Sequence, residues 1–181
     1  VEPGARLPPR AAGDWFKSVL ENLGITVTLF GVPRLELLFA SNEQLRLRAS
    51  ARRAFRPYNF QSVEEQRAFA SCVLTYAGLF RQSGWPSDVP RDVLVKHCYL
   101  LSGGLVGVLS RFMQELACQM AYETPRTLTF EDCATTVKLI ESAGHPHCPP
   151  FARETVSAIE LNQAHAHVLE INDMPMRKAL S

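Results

Sequence analysis

Six arginines lie within 23 residues of this chain. They form its densest group of side chains that could bind a ligand. With only two glutamates between them, the stretch carries +4 in a chain whose net charge is +1, so the remainder carries −3. A guanidinium is a permanent cation that pairs with phosphate, and a local basic stretch predicts one anionic contact surface. The γ-phosphate of a nucleotide and the backbone phosphates of DNA are the two candidates, and a solvated helix face is the plain alternative. The arginines are Arg34, Arg46, Arg48, Arg52, Arg53 and Arg56.

Histidine and cysteine residues form the second group with possible chemistry. His145, His147 and Cys148 precede a second histidine pair, His165 and His167, but the spacing does not match a zinc finger. Residues two apart on a helix also point to different faces, so no metal site is predicted. Cys98, beside His97, lies in an apolar helical run and is predicted to be a buried structural thiol rather than a nucleophile.

Composition sets the general class. The chain has 181 residues, of which 46% are hydrophobic and 20% charged, as in ordinary globular domains. Its apolar runs are too short to cross a bilayer, and no secretory leader is visible, so no membrane partner is expected. Five cysteines without paired spacing favour a reducing compartment, and the expected location is the cytoplasm.

Elements that alternate between helix and strand are predicted in the first part of the chain. A helix capped by Asp14 runs to Leu23, with Trp15, Val19 and Leu23 on its apolar face. The apolar run Ile25–Phe30, between two glycines, predicts a buried strand of a parallel sheet. A helix over 34–48 and a short strand over 55–60 follow. This order is typical of an α/β layered domain.

The rest of the chain is predicted to be helical. A capping box beginning at Ser62 predicts a helix over 63–80, and a turn-rich linker covers 81–89. Helices are then expected over 90–101, 103–121, 130–143 with Thr129 as the cap, and 151–171. The predicted organisation is an α/β part over residues 1–80, a helical part over 85–171, and a tail over 172–181.

Taken in order, several of these segments resemble the TniB/TnsC-type AAA+ ATPases of transposons. Asp14–Leu20 with Gly24–Pro33 resembles that family's helix and sensor-1 strand, and Ser41–Arg48 resembles its arginine-finger segment. Arg56–Phe60 resembles the strand that closes the nucleotide domain, and Ser102–Arg111 resembles the start of the sensor-2 helix. The resemblance covers about residues 10–140. It implies a truncated AAA+ α/β remnant followed by an all-helical lid, mostly α overall.

The resemblance assigns roles in the first part. Arg48 takes the position of the arginine finger, and the nucleotide-facing sensor-1 turn contains Gly31 and Val32. Since a valine stands where a polar group positions the attacking water, strong hydrolysis is not expected. Arg46, Arg52 and Arg53 are the candidates for contacts with DNA and the substitutes for the finger.

In the lid, the resemblance places Gly103 and Gly104 at a helix start that faces the nucleotide. A helix N-terminus offers free N–H groups to phosphate. Val106 replaces the arginine commonly found there, which leaves Arg111 as the candidate sensor-2 residue. The alternative is that the two glycines let helices approach closely.

The implied function is that of a transposition regulator that binds ATP, Mg²⁺ and DNA in intact form. Such proteins assemble with neighbouring AAA+ subunits and link target-selection proteins to the transposase in the bacterial cytoplasm. The sequence contains no phosphate-binding loop and no strand ending in paired acidic residues. It is expected to begin just after the Walker B strand, so no ATP turnover is expected from this chain alone. A helical DNA-binding module and a protein–protein adaptor without ATPase ancestry are the alternatives.

Overall fold

The computed structural model describes residues 8–29, 35–50, 55–140, 147–172 and 174. Eight helices account for most of these residues, and no strand occurs among them. The predominance of helix confirms the prediction of a mostly α protein. The chain divides into two compact units, Val1–Phe55 and Arg56–Ser181. The division predicted from the sequence, at 80–85, instead lies beyond or at the end of the long helix that opens the second unit.

Three helices make up the described part of the first unit. They are α1 (Pro9–Leu23), α2 (Glu36–Ala40) and α3 (Glu43–Arg48), and each contacts the other two. Helix α1 starts at a proline, earlier than predicted, and ends at Gly24 in the left-handed conformation, as predicted. Its buried contact is Gly13 against Asn42, whereas Trp15 and Leu23 are 61% and 64% exposed. The predicted apolar face is therefore not the packed face.

The predicted helix over 34–48 is wrong in its continuity. Helices α2 and α3 are separated at Asn42, whose extended backbone ends one helix and caps the next. Its side chain accepts a hydrogen bond from the Leu45 amide at 3.0 Å and donates to Asp14 of α1 at 2.8 Å. Asparagine favours such a cap because its side chain replaces a missing backbone acceptor. Residue 34 lies outside the described residues.

The predicted strand over 25–30 is also absent where the structure describes it. Residues 25–29 have no regular secondary structure, and Ile25 is 47% exposed. A strand of a parallel sheet requires neighbours for its backbone hydrogen bonds, and none of the described residues provides one. The second predicted strand, over 55–60, is replaced by irregular backbone for the same reason.

Five helices make up most of the second unit as far as the structure describes it. They are α4 (Val63–Gln82), α5 (Arg91–Ser102), α6 (Val106–Met120), α7 (Phe130–Val137) and α8 (Ala158–Ile171). Side-chain caps set three of the starts. Ser62 caps α4, while Thr129 and Ser157 form reciprocal capping boxes on α7 and α8. The box at Ser157 explains why the last helix begins seven residues later than predicted.

Helix α5 lies at the centre of the second unit and contacts α4, α6 and α8. Tyr99, Cys98 and Leu101 are fully buried on it, and Phe69 of α4 and Phe112 of α6 pack into the same core. The predicted linker also contributes buried side chains. Trp85 and Val89 join this core, and one isolated parallel bridge joins Ser87 to Leu128. The segment between α4 and α5 is therefore part of the packed unit.

Candidate functional site

The arginine-finger candidate lies at the end of α3. Arg48 is in the last turn of this helix, and its guanidinium is 2.7 Å from the Glu21 carboxylate of α1. Both side chains are nearly half exposed. Arg46 pairs with Glu43 across one turn at 3.4 Å. Both arginines are thus accessible cations that already have a carboxylate partner, and an incoming phosphate would have to replace it.

The remaining candidates of the first unit fall outside the described residues. Arg52 and Arg53, predicted to contact DNA, belong to 51–54, and Gly31 and Val32 of the sensor-1 turn belong to 30–34. Their assignments remain predictions.

Gly103 and Gly104, the predicted nucleotide-facing glycines, lie at the junction of α5 and α6. Gly103 ends α5 in the left-handed conformation, and Gly104 follows with φ of 93°. The Gly103 carbonyl accepts a hydrogen bond from His165 of α8 at 3.1 Å. The Gly104 amide donates to Ser102 at 3.2 Å, and its carbonyl accepts from the Tyr58 amide at 3.0 Å. These backbone groups are used within the second unit.

A Cβ atom at either glycine would meet neighbouring atoms. At Gly103 it would overlap Val168 and lie 2.8 Å from the carbonyl oxygen of Ala164. At Gly104 it would overlap the carbonyl oxygen of Tyr58. Close approach to α8 and to the segment before α4 therefore accounts for both glycines, in agreement with the packing alternative.

The start of α6 presents a different set of groups. Leu105 gives this helix no side-chain cap, and Val106 and Gly107 at its first positions are exposed. Arg111 is exposed one turn after Gly107, about 6 Å along the helix, and has no ion-pair partner among the described residues. Uncapped N–H groups and an unpaired guanidinium on one helix face can together bind a phosphate.

The buried polar groups of α5 were not identified as a set from the sequence. The Tyr99 hydroxyl donates to the Tyr58 carbonyl at 2.7 Å and accepts from the Phe60 amide at 3.1 Å. Burial raises the pKa of Tyr99, and it raises the pKa of Cys98 well above its usual value. Cys98 is therefore a neutral thiol, as its structural assignment requires. The apolar run of α5 does not indicate which backbone groups the Tyr99 hydroxyl contacts.

Surface cavities on the described residues of the second unit include two with polar side chains in their walls. One of about 640 Å³ is lined by polar groups around Cys148, including the ion pair of Arg153 with Glu160. The other, of about 370 Å³, lies between the start of α5 and the start of α7. No group of three or more metal-binding side chains occurs among the described residues. His147 lines the first cavity, whereas His165 is hydrogen bonded to Gly103, and His145 lies outside the described residues.

In the part of the chain that the structure describes, no single helix is both long and apolar enough to span a membrane. Helices α5 and α6 meet the length and composition only as a pair, bent by 114° at their junction.

Searches against protein families, curated proteins and solved structures find no match to this chain.

Proposed function

We propose that this chain is part of an AAA+ transposition regulator of the TniB/TnsC type. In the intact protein it would bind ATP and Mg²⁺, assemble with neighbouring subunits on DNA, and link target-selection proteins to the transposase in the bacterial cytoplasm. The observation that carries the proposal is the exposed start of α6, where uncapped N–H groups and Arg111 lie together. It falls at the sensor-2 position in the order of segments that suggested the family.

The surface of the first unit supports a role within a larger α/β layer. Six large apolar side chains are exposed on its described residues, and residues 25–29 are apolar or β-branched without being paired in a sheet. Exposed apolar surface of this kind marks a site of contact with other protein. A truncated AAA+ remnant, with its remaining strands supplied elsewhere, fits this surface. The six are Trp15, Leu23, Ile25, Leu37, Leu47 and Phe55.

The position of Arg48 is compatible with a finger that changes partners. An exposed ion pair such as Arg48–Glu21 contributes only about 0–1 kcal/mol, because water and salt screen it. A γ-phosphate offers more charge and bidentate geometry. Arg48 would leave Glu21 when a neighbouring subunit presents its nucleotide. Fingers of this kind raise phosphoryl-transfer rates by about 10³–10⁵-fold.

The first experiment measures nucleotide binding by this chain alone. Titration of this chain alone with a fluorescent ATP analogue is expected to give no micromolar binding, because the sequence lacks a phosphate-binding loop. Micromolar affinity would contradict the proposal that this chain is the part of an AAA+ protein that lacks the phosphate-binding loop.

The second experiment joins this chain to a half that carries Walker A and Walker B. Arg48→Ala is expected to abolish ATP-dependent assembly and any turnover. Glu21→Gln is expected to preserve both, since it only frees Arg48. Arg67→Ala, on the exposed side of α4, is the matched control for loss of a surface arginine. If the Arg48→Ala protein assembles and turns over ATP like the Arg67→Ala protein, the finger assignment is wrong.

A DNA-binding module without ATPase ancestry is the second candidate, and the exposed arginines of α3 favour it. Arg46 and Arg48 follow each other in its last turn, and basic residues continue through Arg52 and Arg53 in the sequence. Phosphate contacts make binding salt-dependent, and each lost contact lowers the slope of log affinity against log salt by about 1. DNA titrations at two salt concentrations test this. Binding of neither DNA nor nucleotide would leave the adaptor alternative.

A further inference from the structure

His97 occupies an unusual position for an ionisable group. It lies on α5 with 1% of its surface exposed, and its Nδ1 atom accepts a hydrogen bond from the Phe151 amide at 3.0 Å. Because Nδ1 accepts, the neutral ring carries its proton on Nε2. That atom is buried and has no hydrogen-bond partner among the described residues. A single hydrogen bond from the backbone of another segment therefore holds the ring as the neutral tautomer protonated on Nε2.

The partner of His97 belongs to the segment 147–157, which leads into α8. Phe151 has φ of 56°, a conformation that costs a non-glycine residue about 1–2 kcal/mol. Its ring stacks on His97 at 4.8 Å and on Phe112 of α6 at 5.6 Å, and it meets Phe130 of α7 at 5.4 Å. The bond to His97 and the aromatic contacts together hold this strained residue in the core.

The charged groups that act on the ring are few. Phe130 of α7 packs edge-on against the His97 ring, whereas Phe112 of α6 stacks on Phe151. Arg153 comes from the segment itself and Glu160 from α8. Burial lowers the pKa of His97. The carbonyl groups of Glu154 and Arg153 and the carboxylate of Glu160 act in the opposite direction without reversing the shift.

We propose that His97 is a proton-operated latch for the segment 147–157. The neutral imidazole holds Phe151 in the core through its acceptor at Nδ1. Protonation places a hydrogen on Nδ1 that faces the Phe151 N–H, so two donors meet and the bond is lost. It also leaves a cation among aromatic rings. The segment is then released, and apolar surface between α5, α6 and α7 is exposed.

The direction of the pH effect follows from the sign of the shift. The pKa of His97 is lower in the folded protein than its ordinary value near 6.5. The latch is therefore closed above that value. It loosens as the pH falls below it, because the open state binds one more proton than the closed state. The opening constant rises by up to about tenfold for each pH unit in that window.

Amide hydrogen exchange on this chain at pH 7.5 and pH 5.5 tests the latch. After correction for the intrinsic exchange rate, protection of the Phe151 amide is expected to fall at pH 5.5, while amides in the middle of α4 stay unchanged. His97→Gln removes the titration and is expected to remove the pH dependence. His147→Gln, a histidine of the same segment, is the matched control and is expected to retain it.

Two results would overturn the latch. One is unchanged protection of Phe151 between the two pH values in the original chain, and the other is the same pH dependence in the His97→Gln protein. If that variant does not fold, NMR titration of the imidazole nitrogens in the original chain decides the question. A midpoint below the ordinary value, with the proton on Nε2 at pH 7.5, supports the latch. A midpoint at or above that value rejects it.

Discussion

Replacing Gly104 with alanine is the most direct test of the packing at the junction of α5 and α6. The residue has φ of 93°, which L side chains rarely adopt. The added Cβ would overlap the Tyr58 carbonyl oxygen and lie 2.8 Å from the Tyr58 nitrogen. These are backbone atoms, so no side-chain rotation relieves the overlap. The segment before α4 must move, and the 3.0 Å hydrogen bond from Tyr58 to Gly104 is lost.

The expected loss of stability is the sum of three effects. The unfavourable backbone conformation costs about 1–2 kcal/mol. Forcing an extra methyl group into a packed region costs about 1–3 kcal/mol. Loss of the hydrogen bond adds about 1 kcal/mol. Gly104→Ala should therefore lower the free energy of unfolding of the second unit by about 3–6 kcal/mol, a large share of the 5–15 kcal/mol typical of a domain.

Urea denaturation followed by tryptophan fluorescence measures this loss. Trp85 is buried in the second unit, and Trp15 is exposed in the first, so a Trp15→Phe background isolates the relevant signal. Gly107→Ala is the matched control, because a Cβ there meets nothing within 4 Å and the residue is helical. It should be neutral or stabilising by up to about 1 kcal/mol. A loss below about 1 kcal/mol for Gly104→Ala would refute the close approach and return Gly104 to the set of free ligand contacts.

Three further predictions concern single side chains. Tyr99→Phe should lower stability by about 1–3 kcal/mol in urea denaturation, because two backbone groups of 58–60 lose their buried partner. The side-chain hydrogen bond from Arg126 holds the pKa of Asp132 at about 2. The stabilisation that this pair gives should be complete above about pH 4 and should be lost as the pH falls through about 2, so the difference in melting temperature from Asp132→Asn should shrink over that range. Cys118, exposed on α6, should react with a water-soluble thiol reagent before the buried cysteines do, as mass spectrometry can show.

Local signals in the sequence predicted most of the helical part. The capping boxes at Thr129 and the serine before α4 marked helix starts, and Gly24 marked a helix end, because each depends on hydrogen bonds within a few residues. Even at a predicted capping box, a side chain can take a different hydrogen-bond partner from the one that the motif predicts. The Glu65 carboxylate accepts from the Asn59 amide at 2.7 Å rather than completing the box with Ser62. Such a choice depends on where the preceding segment is packed.

The predictions from the sequence were wrong where contacts between residues far apart in the chain determine the structure. The split between α2 and α3 depends on Asn42 reaching Asp14, 28 residues away. The missing strand depends on neighbours that the described residues do not supply. The bond between His97 and Phe151 spans 54 residues, so no spacing pattern could have indicated it.

By itself, the sequence determined the mostly helical class, several helix ends and the uneven distribution of charge, since propensity, capping and charge are local properties. It also gave the order of segments on which the proposed family rests. Only the tertiary structure decided that Arg48 is held by Glu21, that Arg111 has no carboxylate partner among the described residues, and that Gly104 is needed for close packing. Each of these depends on which surfaces meet in space, and burial and ion pairing are set by that arrangement rather than by distance along the chain.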